Sequence, residues 1–260
     1  MRGSIKVHVA GIKTALSSRL AYRFDLIISM ITMSITEITP AVMTLLIYNN
    51  SNGFPGWTCE QVLLLQGTFM LAKGIAFPLF IGLVWKPIIS VRDGTFDLFL
   101  LKPRSVLHMI IVHSFDTEDI GKFFVGAIVF GYAAAHVQVV SYLRWVEFSM
   151  LFLVALGVLF ACAMIMSGIA IRFVKSWRLY EIMGSIWDLG MYPSAIKYPA
   201  VNFFITFAVP VLAIAYIPSS VLLDVGVPHW QYTLFGSAVF ITLAYGFWQW
   251  CLKSYTSAGG

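Results

Sequence analysis

Two charged residues, Glu37 and Lys73, stand inside long apolar stretches of this chain. An acid and an amine so placed can neutralise each other as an ion pair, meet a polar group passing through, or keep one partner uncharged through a pKa shift. Other chemistry is hard to assemble. The five histidines, His8, His108, His113, His136 and His229, do not cluster at ligand spacing. Even the nearest two, His108 and His113, miss the offset that puts both rings on one helical face. Cys59, Cys162 and Cys251 are far apart, and two of them lie in apolar runs, so neither a disulfide framework nor a zinc site is expected. The chain has no Gly-x-x-x-x-Gly-Lys-Ser/Thr phosphate loop, no His-Glu-x-x-His, no Gly-x-Ser-x-Gly and no Cys-x-x-Cys. No catalytic residue, metal site or cofactor of its own is therefore expected.

What positions Glu37 and Lys73 is set by composition. Of the 260 residues, 59% are hydrophobic and 11% charged, against roughly 45–50% and about 25% in a soluble domain. Lipid accepts such a surface, and a hydrocarbon layer about 30 Å thick takes roughly 20 apolar residues in helix. The expected fold is all-α and integral to the membrane, a single transmembrane domain over 1–260 with six spans at 24–48, 61–85, 120–140, 148–171, 176–191 and 231–252. Before the first span, residues 4–23 repeat apolar Ile5, Val9, Ile12, Leu16 and Leu20, with Lys6, Lys13, Arg19 and Arg23 largely off that stripe. This predicts a basic amphipathic helix at the membrane interface. No cleavable signal peptide is visible, so this segment is expected to stay in the mature protein.

Between spans two and three, residues 86–119 are rich in charge and too broken to cross. Pro87 suits the first turn of a short helix and Gly94 its end. Thr95 can cap a second helix with Asp97 in its first turn, and Lys102-Pro103 can end it. In span four, Gly157 and Ala161 stand at the small-xxx-small spacing that lets helices approach. Span five is polar, containing Glu181 and Asp188. From 192 to 223 the prolines Pro193, Pro199, Pro210 and Pro218 rule out one straight helix, and a re-entrant hairpin is predicted. Trp248 and Trp250 suit an interfacial belt.

Basic residues set the orientation. Of 17 Lys and Arg, 14 fall in the N-terminal segment, the middle loop and its edge, the connection after span four, and the tail. Six spans put all four regions on one side, which the positive-inside rule makes cytoplasmic, both termini included. The net charge of +5 then needs no nucleic-acid partner. Counted from opposite sides of the first hairpin, Glu37 and Lys73 fall near the midplane, where a lone charge costs about 2.5–3.5 kcal/mol on insertion scales. A structural pair locking spans one and two is one reading, and a substrate-path role for either residue is the other.

The order of features resembles the membrane subunit of ABC type-2 transporters, mostly exporters. The run Gly94-Thr95-Phe96-Asp97-Leu98-Phe99-Leu100-Leu101-Lys102-Pro103 is similar to the Gly-x-Leu-Asp-x-Leu-Leu-x-Arg/Lys-Pro loop of a bacterial subgroup, and Tyr255-Thr256-Ser257-Ala258-Gly259 is similar to its tail. Phe96 and Phe99 replace the commoner leucines, and Lys73 inside a span is a further departure. The resemblance implies a bacterial inner-membrane permease without a nucleotide site. ATP and magnesium would be held by a separate ABC ATPase subunit, in two copies, and a second permease, identical or related, would complete the transporter. It further implies that the middle loop supplies the helix coupling permease to ATPase, through Val91, Arg92, Asp93, Gly94, Phe96, Asp97, Leu100, Lys102 and Pro103. Phe96 and Leu100 would be its exposed apolar anchors, flanked by Arg92 and Asp97. An ion-coupled secondary transporter is the alternative, with the intramembrane charges binding the coupling ion; no inverted repeat is visible.

Overall fold

A computed structural model describes residues 23–139, 141–173, 177–193, 210–225 and 230–256, together with 13, 17 and 20. Among them the chain is helical, with no strand, and four helices are long and apolar enough to cross a membrane. The expected amphipathic helix over 4–23 lies almost wholly outside the described residues.

Helix α1, Arg23–Asn50, is the first of the four. Its 28 residues rise about 42 Å. Hydroxyls in so apolar a helix are satisfied within it: Thr32, Thr36 and Thr39 each donate to the carbonyl four residues back, at 2.8–2.9 Å. Pro40 lies inside the helix and withholds the N–H that Thr36 would otherwise receive. The turn that follows is pinned by Tyr48, whose hydroxyl donates to the Trp57 carbonyl at 2.8 Å and accepts from the Phe54 N–H at 3.2 Å. Thr58 and Gln61 then form a reciprocal capping box that starts α2, Cys59–Phe80.

Helix α2 is the centre of the molecule, with 78% of its apolar window buried against 11% for α1. Its closest partner is α6, Ile120–His136. The two backbones nearly touch. A Cβ on Gly74 would lie 2.4 Å from the Phe123 Cα, one on Gly67 2.7 Å from the Phe130 Cα, and one on Gly126 2.5 Å from the Leu71 nitrogen. Gly157, expected to serve this purpose in span four, meets only the flexible tip of Ile241, at 3.0 Å. Small residues recur in every span, and only packing shows which ones face a backbone.

Span two is shorter than expected. α2 ends at Phe80, and α3, Gly82–Arg92, restarts after Ile81 and folds onto the long helix α7, Tyr142–Arg172. Pro87 is thus inside a helix, not in its first turn. α6 stops at His136 rather than at 140. α7, Tyr142–Arg172, begins earlier than expected, because the Ser141 side chain caps it by accepting from the Leu143 N–H at 3.2 Å.

The fifth span, expected over 176–191, is a composite. α8, Trp177–Asp188, is followed by a 3-10 turn, Leu189–Met191. Together they rise about 24 Å, short of a full crossing by regular helix. Ring contacts show its course: Tyr180 packs on Trp85 at 4.2 Å, and Tyr192 reaches Phe54 at 6.1 Å. Half of the predicted re-entrant hairpin, residues 194–209, lies outside the described residues. Its described end is a 3-10 turn at Val211–Ala213 and α9, Tyr216–Leu222, with Ile217 to Leu222 all buried. Ser219 of α9 donates to the Thr68 hydroxyl of α2 at 3.0 Å. The last helix, α10, Gln231–Lys253, ends within a residue of the expectation and packs along α7. There Trp248 is buried, its indole N–H donating to the Ser167 hydroxyl at 3.1 Å, while Trp250 stays exposed. Only the second tryptophan is available to an interfacial belt.

Candidate functional site

The middle loop is built from three short helices: the end of α3, then α4, Asp97–Leu100, then α5, Val106–Val112. Gly94 makes the first corner. Its φ of +69° lies in the left-handed region that glycine enters without steric cost. The chain folds back there, so that the Thr95 and Phe96 N–H groups both donate to the Ser90 carbonyl, at 2.8 and 3.1 Å. Thr95 does not cap the next helix as expected; its hydroxyl also turns to the Ser90 carbonyl, at 3.4 Å, and α4 starts after Phe96 without a side-chain cap.

This fold-back reverses the expected role of Phe96. Phe96 is completely buried. It packs edge-on against Tyr255 of the tail at 4.9 Å and beside Phe99 at 5.9 Å, so it cannot be an exposed anchor. The exposed face is Leu98 (60%), Leu101 (80%) and the expected Leu100 (43%). Val91 is buried, whereas Arg92, Asp93, Gly94, Lys102 and Pro103 are exposed and Asp97 is half-buried. The Arg92 Nε donates to Asp93 Oδ1 at 2.9 Å, and this contact raises the guanidinium pKa further. His113 closes α5, and burial, seconded by the charges of Lys86 and Lys102, holds its pKa below the ordinary imidazole value. The tail is fastened beside the loop: Arg172 Nη1 donates to the Ser254 carbonyl at 3.1 Å, one residue before Tyr255.

The second site is the intramembrane charge. The structure brings Glu37 of α1 and Lys73 of α2 together, with Lys73 Nζ 3.3 Å from Glu37 Oε2. A third member, Asp188 at the end of α8, has Oδ1 3.7 Å from the same nitrogen. The Lys73 ammonium also lies 5.4 and 5.6 Å from the ring centres of Phe69 and Phe77. One turn along, Lys122 pairs with Asp119 at 2.5 Å and sits 4.6 Å from the Phe77 ring. Phe77 thus receives two cations, and three carboxylates face two ammonium groups. Aromatic faces and carboxylates both attract cations, so each ammonium is held from two sides.

Burial grades across this cluster. Glu37 is 4% exposed at its side chain, Lys73 14% and Asp188 58%, so the pair opens outward at Asp188. Glu37 Oε1 has no hydrogen-bond partner among the described residues. The arrangement can lock α1, α2 and α8 together, and it can offer acceptors to a group entering past Asp188. Asp188 could not be assigned from sequence, because the depth of a residue after a polar, irregular span cannot be counted as Glu37 and Lys73 can. Also unforeseen is the buried pair Thr44–Gln66, whose amide donates to the Thr44 hydroxyl at 2.9 Å and ties α1 to α2.

Among known proteins, the family model described as "ABC-2 family transporter protein" matches residues 30–259. No curated protein and no solved structure matches the chain significantly.

Proposed function

The chain belongs to the ABC-2 transporter family, and on that premise we propose that it is the permease of an ATP-driven exporter in a bacterial inner membrane. Membership and the four long apolar helices make it a multi-pass membrane transporter protein. Beyond that, ATP and magnesium belong to a partner ATPase, two copies of which act on a pair of permeases, and this chain performs no catalytic step itself. The observation that carries the reading is the leucine face of α4. Leu98 and Leu101, three residues apart, and Leu100 beside them are exposed on a loop mounted on the fully buried Phe96, and an apolar surface flanked by Arg92 and Lys102 fits a groove on a partner. The coupling contact thus runs through the exposed leucines, with Phe96 as their support.

The Glu37–Lys73–Asp188 cluster lines the substrate route in this proposal and meets a polar head group. Co-purification tests the coupling. Leu98→Asp with Leu101→Asp is expected to lose the ATPase subunit and ATP-dependent transport while the permease still accumulates in the membrane. Undiminished ATPase binding by that variant would defeat the proposal. Transport that persists without ATP and collapses with an ionophore would instead favour ion coupling through the same three charges.

A further inference from the structure

A groove of about 270 Å³ opens between α7 and α10, lined by Ile165, Phe240, Leu243, Ala244 and Phe247. It lies within two helices long and apolar enough to span a bilayer. The helices run parallel and close together beyond it: a Cβ on Gly168 would meet Phe247 at 3.1 Å and Cys251 at 3.3 Å. Past that contact, where both helices stop, the surface of the seam is no longer apolar. Arg172 follows Ile165 by seven residues, two helical turns on the same face. Its guanidinium is exposed and lies 5.8 Å from the ring centre of Trp250, which is itself 55% exposed. Of its five N–H groups, one is used on the Ser254 carbonyl, and no carboxylate pairs with Arg172 among the described residues. Lys253, also exposed, ends α10 beside it.

We propose that this groove is a binding site for an anionic phospholipid, with one acyl chain along Phe240, Leu243 and Phe247 and the phosphate on Arg172. An open apolar channel inside the hydrocarbon layer takes a chain, and a basic group two turns further along the same face, at the depth where tryptophan sits, takes the charged head. A zwitterionic lipid offers the same phosphate but brings a cationic choline with it, which Arg172 and Lys253 repel. The lipid would brace the seam between α7 and α10 at the point where Arg172 also holds the tail under the middle loop.

The test counts lipids retained by the full chain in mild detergent, by native mass spectrometry. Phosphatidylglycerol and phosphatidylcholine of identical acyl chains are offered in equal amounts. The parent is expected to retain phosphatidylglycerol about fivefold over phosphatidylcholine, the discrimination one basic residue supplies near a membrane surface. Arg172→Ala should bring that ratio to about one, and Arg172→Lys should keep most of it. Arg172→Gln, which can still donate to Ser254, carries the same expectation as alanine should the latter not fold. Leu243→Trp, at an exposed position, should close the groove and lower retention of both lipids. The idea is overturned if the parent holds both lipids equally, if the ratio survives Arg172→Gln, or if Leu243→Trp binds lipid as before. Displacement of the lipid by free glycerol phosphate would overturn it too, as would a lipid-free dimer that Leu243→Trp splits, since the groove would then be an anion site or a protein interface.

Discussion

Lys73 holds two carboxylates at once, and its worth can be read by removing them separately. Glu37→Gln leaves the half-buried Lys73 ammonium with the largely exposed Asp188 as its carboxylate and should cost about 2–3 kcal/mol, seen as a lowered melting temperature in detergent. Glu37→Leu with Lys73→Met, which removes both charges, should recover most of that loss. Asp188→Asn should cost about 1 kcal/mol or less, because its carboxylate is largely exposed and screened. If the apolar double variant is stable yet no longer transports, the charges serve the route and not only the scaffold. The exchange Glu37→Lys with Lys73→Glu gives the complementary reading, since stability restored without transport identifies a residue that meets the substrate. That these two residues would lie at similar depth was legible in the sequence, because each is counted from a clear span end. The third partner was not, since α8 follows a polar stretch whose helical start no residue pattern marks.

Helix pairs differ in what keeps them apart. At Gly74 the next helix's backbone fills the space, so Gly74→Leu should force α2 from α6 and abolish accumulation of folded protein, measured by size-exclusion profile. Gly157→Ala, where the only neighbour is a side-chain tip, should stay within about 1 kcal/mol of the parent. Composition announced both as small residues in apolar helices; only the partner's position separates them. The middle loop shows the same division. Gly94 was legible as the end of a helix because a turn there needs a left-handed residue. The inward turn of Phe96 was not, because its cover, Tyr255, lies 159 positions away in the sequence. His113 gives the loop a pH dependence. Its folded pKa is lowered, so between that value and the ordinary one, about 6.5, the unfolded loop binds more protons. Stability therefore falls as pH drops through this window. Amide exchange across Val106–Val112 should quicken as pH falls below about 6.5, and His113→Gln should remove the trend.

The molecule as a whole follows its apolar pattern where the helices are long: α1, α2, α7 and α10 all fall on expected spans, with ends displaced by caps and by the break at Ile81. The composite α8 and the proline-rich stretch were less legible, because short helices and 3-10 turns leave little periodicity to read. The proposed orientation has a direct check. In a Cys59→Ser background, with Cys162 and Cys251 buried, an impermeant thiol reagent added to intact cells should label Ser51→Cys and spare Ser105→Cys until the membrane is opened. The reverse pattern would remove the basis for a cytoplasmic middle loop. One mechanical consequence follows from the glycine seam. Where two main chains abut, no side chain is left to change rotamer, so α2 and α6 have no compliance and must travel as a rigid body. The phenylalanine-lined junction of α7 and α10 retains that freedom.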